Sequence, residues 1–256
     1  MNNKVFFCLC CALFWAASSF SQIVNIETKR KQLNIDTTGW FGNFNLGFNL
    51  NKNTSTVLSF SGNAQIDYLQ GRNRWISLSN YQVIQADGTS FINSGFQHLR
   101  WNRPLRERMT MEAFGQIQYN EKLQLQLRGL LGTGVRFEIL KQKQGSIYLG
   151  VAYMYQYEAI RDTSLIYRDH RLSNYLAANY EFKNGMVLSN TTYFQPLLTD
   201  LSTVRIASQT SLSIKITERL ALNSRFNLQV DSRLNEVTEG VPTTTYSFIN
   251  GLSWTF

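Results

Sequence analysis

Residues 122–140 run Lys122-Leu123-Gln124-Leu125-Gln126-Leu127-Arg128-Gly129-Leu130-Leu131-Gly132-Thr133-Gly134-Val135-Arg136-Phe137-Glu138-Ile139-Leu140. Leu123, Leu125, Leu127, Leu131, Val135, Phe137 and Ile139 share one parity. Gln124, Gln126, Arg128, Arg136 and Glu138 share the other. A period of two sustained this long is a strand, not a helix. Placing an arginine against lipid near a membrane midplane costs about 2–4 kcal/mol. In a membrane barrel, therefore, Arg128 and Arg136 point inward and the leucines outward. A slip of one residue would reverse both faces, so the register is well specified.

The alternation extends in both directions. Trp40, Gly42, Phe44, Leu46, Phe48 and Leu50 lie on one face of the first segment, and Tyr246, Phe248, Leu252, Trp254 and Phe256 on one face of the last. Strand candidates fall near 40–50, 55–69, 74–86, 91–102, 108–119, 122–140, 145–158, 170–182, 185–195, 202–216, 218–231 and 244–256. The pattern is weakest near 74–102 and 185–195. Twelve strands, give or take two, are expected.

Composition narrows the class. Charged residues are 16% of the 256, against roughly 25% in an ordinary soluble domain, and aromatics are 13%. With 3 prolines and 16 glycines the chain is neither collagenous nor Pro-rich. A mean hydropathy of -0.22 is too polar for a multi-helix membrane protein. A soluble all-β domain or a membrane β-barrel is left.

Three features favour the barrel. The chain closes on Phe256 with Trp254, Leu252 and Phe248 behind it on one face, resembling the C-terminal strand by which outer-membrane barrels are recognised for assembly. If the first strand starts in the periplasm, the turns near 51–54, 87–90, 120–121, 159–169, 196–201 and 232–243 lie outside, and the two longest connections are among them. The same topology puts Trp40, Trp75, Trp101 and Trp254 at periplasmic strand ends, with Tyr119, Tyr157 and Tyr246 near outer ends, as two aromatic girdles. Pro104, Pro196 and Pro242 fall in or beside turns.

Residues 1–21 read as a secretory signal peptide: Lys4, an apolar run from Val5 to Ala17, then Ser19-Phe20-Ser21. Cys8, Cys10 and Cys11 leave with it, so the mature chain is expected to lack thiol chemistry. Residues 22–39 form an N-terminal periplasmic arm or join the barrel, and the barrel spans 40–256. The formal charge is +8, but export and the scatter of the charges argue against nucleic acid.

From about residue 91 onward a set of short motifs stands out. They are His98-Leu99-Arg100, Glu112-Ala113-Phe114-Gly115-Gln116, the run from Arg128 to Arg136, Tyr153-Met154-Tyr155-Gln156-Tyr157-Glu158, Arg171-Leu172-Ser173-Asn174-Tyr175, Tyr193-Phe194-Gln195-Pro196 and Val204-Arg205. In order and spacing they resemble the bacterial family known as domain of unknown function 481, whose members are often labelled salt-induced outer membrane proteins. The resemblance implies an outer-membrane barrel and no established activity. Trp101 stands where tyrosine is expected in that family.

Arg100, Arg128, Arg136, Arg171, Arg205 and Arg225 take the inward parity, with Glu112, Gln116, Glu138, Glu158, His98, Asp67 and Asp231 as polar company. One reading is an arginine ladder that passes small anionic solutes, because planar guanidinium suits carboxylate, sulfate or phosphate. The other is that the arginines pair with the lumen acids and plug the barrel. Gly129, Gly132 and Gly134 would relieve crowding or permit curvature.

Catalysis finds little footing. His98 and Ser94 share the inward face, whereas an outer-membrane phospholipase needs a serine–histidine pair toward lipid. Asp162, Asp169, His170, Asp200 and Asp231 fit the address of an outer-membrane protease but show no diagnostic spacing. No Cys or His cluster suggests a metal, and no cofactor is expected. The reading is a monomeric Gram-negative outer-membrane barrel in contact with lipid, the barrel assembly machinery and a small anionic solute. A closed barrel with a structural, stress-related or ligand-binding role is the alternative, and a hydrolase a distant third.

Overall fold

The computed structural model describes residues 38–233 and 242–254. The expected signal peptide at 1–21, nearly all of the arm at 22–39, and Phe256 lie outside the described residues, as does most of the connection at 232–243.

Among the described residues, thirteen antiparallel strands make one sheet. They are β1 (Gly39–Lys52), β2 (Thr56–Gln70), β3 (Asn73–Ala86), β4 (Thr89–Arg106), β5 (Met109–Asn120), β6 (Leu125–Gln142) and β7 (Gly145–Ile160). Then come β8 (Ile166–Leu172), β9 (Asn174–Glu181), β10 (Val187–Pro196), β11 (Val204–Lys215), β12 (Leu220–Asp231) and β13 (Thr244–Trp254). Strands that follow one another in sequence are neighbours throughout, except that β7 pairs with both β8 and β9.

β8 and β9 together fill the place of the eighth expected strand. They share one register: Tyr153 faces Leu172 and Gly150 faces Tyr175. The interruption has a cause on the far side. Pro196 ends β10 at the level of Leu172 and has no N–H to donate, so β10 pairs with β9 and leaves β8 with one isolated bridge, Arg171 to Leu197. Because β8 begins at Ile166, the outer connection expected across 159–169 shortens to 161–165.

Two corrections fall on the sixth strand. It starts at Leu125, not Lys122, because Glu121–Leu123 form a 3-10 turn capped by Asn120 and closed by Gln124 at φ 53. A bulge between Leu125 and Leu127 then resets the parity. Leu125, expected outward, is buried opposite Ile160, while Gln124 and Gln126, expected inward, go to the turn and the bulge. From Leu127 to Glu138 the expected faces hold. Pro104 also sits inside β4, at an irregularity two residues from its end.

The sheet rolls up. β5 and β9 are three steps apart, about 14 Å in a flat sheet. Yet Tyr175 Oη on β9 donates to Glu112 Oε2 on β5 at 2.9 Å. Arg205 on β11 likewise reaches Gln156 and Glu158 on β7. The result is an up-and-down β-barrel with twelve strand positions.

Burial in this barrel is inverted relative to a soluble protein. Arg100, Arg128, Arg171, Arg205, Glu112, Glu158, Asp169 and Asp231 are buried, while Phe44, Leu46, Phe48, Leu131, Phe248 and Leu252 are each more than 60% exposed. Water cannot cover that outer face favourably, but hydrocarbon can. Trp40, Tyr68, Trp75 and Trp101 sit directly opposite one another across β1 to β4, with Trp254 at the same end of β13. Trp40 stacks on Tyr68 at 4.5 Å, and Trp75 lies 6.2 Å from Trp101.

Candidate functional site in the barrel interior

Alternation aims the even-numbered side chains of β3 to β7 inward, and these pack one side of the lumen. At its centre Glu158 Oε2 accepts from Arg128 Nε at 3.1 Å and Nη2 at 2.9 Å, from Gln156 Nε2 at 2.5 Å and from Arg205 Nη2 at 2.9 Å. Arg205 also donates to Asp231 at 2.6 Å and to Gln156 at 2.7 Å. Next to them Arg171, wholly buried, donates to the Gln195 carbonyl at 2.9 Å and to Asp169 at 3.3 Å. Asp169 also receives Arg233, whose guanidinium lies over the Tyr167 ring. Four arginines (Arg128, Arg171, Arg205, Arg233) thus face three carboxylates (Glu158, Asp169, Asp231), a net charge of +1.

A second cluster lies toward the other barrel end. Arg100 donates to Glu112 at 2.9 Å, and the guanidinium rests 5.2 Å from the Phe114 ring centre. His98 Nδ1 meets Gln116 Oε1 at 2.9 Å, and its ring stacks on Phe114. Gly132 makes room for that phenyl ring and Gly134 for the β7 backbone, whereas nothing crowds Gly129. Arg136 lies over Tyr148 at 3.7 Å and is half-buried; Glu138 pairs with Lys141 at 3.6 Å near the turn.

The opposite wall differs. On β1, Asn43, Asn45, Gly47 and Asn49 face inward and are exposed. On β12, Asn223 and Arg225 do the same, with Ser211 and Ser213 beside them on β11 and Ser247 and Gly251 on β13. Gln209 donates to Asn227, which donates to Ser247, each at 2.9 Å. This wall is made of amides and hydroxyls. Arg225 is an exposed cation within it.

The six arginines proposed as one anion path therefore divide. Arg100, Arg128, Arg171 and Arg205 are locked to carboxylates, Arg136 is stacked, and Arg225 alone of the six faces open space. All six lie on the inward side of their strands, but parity says nothing of their partners on other strands. Gln156, Tyr175 and Arg233 were missed as members of these clusters. Parity marks Gln156 and Tyr175 as inward, but Arg233 lies past the end of β12.

The residues considered for catalysis do not converge. Ser94 and His98 are four residues apart on β4, about 13 Å along a strand. His170 points outward between Tyr153 and Tyr155, while its neighbour Asp169 points inward to Arg171. Asp162 is an exposed turn residue. Asp200 is turned onto Ser202 and Thr203, whose hydrogen bonds hold its carboxyl below the usual range.

The profile of a protein family described as being of unknown function, DUF481, matches residues 44–254. The chain belongs to the DUF481 family. The motifs that carry the resemblance supply the interior of this DUF481 barrel: His98, Arg100, Glu112, Gln116, Arg128, Gln156, Glu158, Arg171, Tyr175 and Arg205. Among solved structures, the NanC porin in a rhombohedral crystal form aligns at TM-score 0.48 and 12% identity, over 77% of this chain and 94% of that one. A bacterial polysaccharide outer membrane secretin aligns at TM-score 0.46 and 7% identity, over 84% and 81%. No curated protein sequence matches the chain.

Proposed function

We propose that this DUF481 protein is an outer-membrane barrel, exported by a cleaved signal peptide at 1–21 and inserted through its C-terminal strand. It carries a narrow passage for small solutes with a preference for anions. One observation carries the reading: the lumen has a packed wall of paired charges and an exposed wall of amides and hydroxyls. The paired arginines brace the barrel rather than line the route. The anion preference comes from Arg225 in the exposed wall and from the +1 excess of the Arg128–Arg171–Arg205–Arg233 cluster. Amide and hydroxyl groups bind solute hydroxyls and carboxylates without the desolvation penalty that a bare charge would carry.

The second reading, a closed barrel, draws on the same buried ion pairs. Single-channel conductance in a planar bilayer under a KCl gradient separates the two. Open events with a chloride-favouring reversal potential, shifted toward zero in Arg225→Ala, support the passage. Silence from correctly folded protein favours the closed barrel.

A further inference from the structure

The outward face of β1 to β6 is not a smooth hydrocarbon wall. Between Phe44 and Leu46 on one side and Ile117 and Leu127 on the other runs a trough of about 480 Å³, almost entirely apolar. Its floor is low because Gly62, Ala64, Ser79 and Gly95 carry little or no side chain. Gly95 is decisive at one end: a Cβ there would lie 2.8 Å from the Tyr119 ring and 3.2 Å from the Tyr81 ring. Both tyrosines are its direct cross-strand neighbours, so they fold over the missing side chain and close the outer end of the trough.

The floor also holds polar groups that would be costly against lipid if left bare. They satisfy one another. Gln97 Nε2 donates to Ser77 at 2.8 Å, and the Gln97 carbonyl accepts from Ser79. A hydrocarbon chain lying across them leaves these two hydrogen bonds in place.

Directly beyond Tyr119 the surface changes character. A second pocket, of about 370 Å³, shares Tyr119 with the trough and is lined by Glu121, Gln126, Arg161 and Asp162. Arg161 bonds Glu121 at 2.5 Å, and Asp162 stands exposed beside it. An apolar trough within the membrane band thus opens at the rim into a pocket carrying both charge signs.

We propose that this crevice binds one glycerophospholipid with a zwitterionic headgroup. An acyl chain lies in the trough between Phe44 and Ile117, the phosphate is at Arg161, and the ammonium is at Asp162 and Glu121. Neither feature alone would select an amphiphile. The junction at Tyr119 does, because an apolar tail and a dipolar head must be held end to end.

Native mass spectrometry of the full-length processed protein, purified from membranes and stripped of lipid in detergent, tests this. The probes are 1-palmitoyl-2-oleoyl phosphatidylethanolamine and the matching phosphatidylglycerol. The expected result is saturation at one phosphatidylethanolamine per barrel. Ala64→Phe, which raises the floor, and Leu127→Ala, which removes a wall, should each weaken binding, the first by about tenfold. Leu149→Phe, on the outward face of β7, should leave binding unchanged. Arg161→Ala should weaken both lipids alike, and Glu121→Gln with Asp162→Asn, which removes the carboxylates from the ammonium, should abolish the preference over phosphatidylglycerol. The heat-dependent gel shift of a folded barrel confirms that each variant folds, and Leu127→Ala keeps the test alive if Ala64→Phe does not. Non-saturating adducts equal in wild type and both groove variants would overturn the proposal. So would a groove-dependent adduct of two protein chains, or equal affinity for the two lipids in the wild type.

Discussion

Arg205 on β11 donates through Nη2 to Oε2 of Glu158 on β7 at 2.9 Å, although β9 and β10 lie between those strands in the sheet. The contact is a chord across one side of the lumen, three strand steps wide. It makes Glu158 the shared acceptor of two arginines, and the second, Arg128, is its direct neighbour on β6. Arg128 is buried against Glu158, and Arg205 is shared between Glu158 and Asp231, which matters because an uncompensated charge in a narrow lumen costs several kcal/mol.

Glu158→Gln should therefore destabilise the barrel by about 3–5 kcal/mol, the usual effect of removing one partner from a buried ion pair. Urea unfolding in lipid vesicles, followed by tryptophan fluorescence, measures it. Glu138→Gln, whose Lys141 partner is largely exposed, should cost under about 1 kcal/mol. Equal losses in the two variants would contradict the bracing role of Glu158.

Gly150 lies beneath the Tyr175 ring, where an added Cβ would meet Cε1 at 2.0 Å. Gly150→Ala must displace Tyr175 and with it the hydrogen bond to Glu112. A loss of about 1–3 kcal/mol is expected, as for other overpacked cores. Gly129→Ala meets nothing within 4 Å and should be close to neutral. The same unfolding experiment compares the two.

The two lumen walls should differ in access from water. Cysteine placed at Asn45 or Asn223 should react rapidly with a membrane-impermeant maleimide, and cysteine at Gln116 slowly. Expression from residue 22 onward, which leaves out Cys8, Cys10 and Cys11, leaves no background thiol. Equal labelling rates at the three positions would remove the basis for an exposed wall.

At the outer rim, the Arg161 hydrogen bond holds the Glu121 carboxyl below its usual value of 4.5. A lowered carboxylate pKa means that the contribution is fully present above the unfolded value and is lost as the pH falls through the folded one. Hydrogen-exchange protection, corrected for the intrinsic pH dependence of exchange, in the turn at 121–124 and the connection at 161–165 should hold steady down to about pH 4.5 and fall below it. In Arg161→Ala, which removes the main cause of the shift, that acid-side loss should shrink, with protection already lower at neutral pH.

Much of this architecture can be read from the sequence alone. Arg128 and Leu131 cannot both face lipid, so the polarity of residues 127–138 decides which face is which, and repetition of that pattern yields twelve strand positions. Parity is a local property with a period of two, and any residue carries it in its own neighbourhood. It fails where the backbone leaves the pleat. At Leu125 the turn and the bulge reverse a side chain that alternation places outward, and at Pro196 a missing N–H divides one strand into β8 and β9. What each inward arginine does was decided only by the tertiary structure. Arg128, Arg205 and Arg225 all face inward by alternation, yet two are buried against carboxylates and one is exposed. The difference lies in which strands the rolled sheet brings face to face, a relation between residues 47 or more positions apart that no local period encodes.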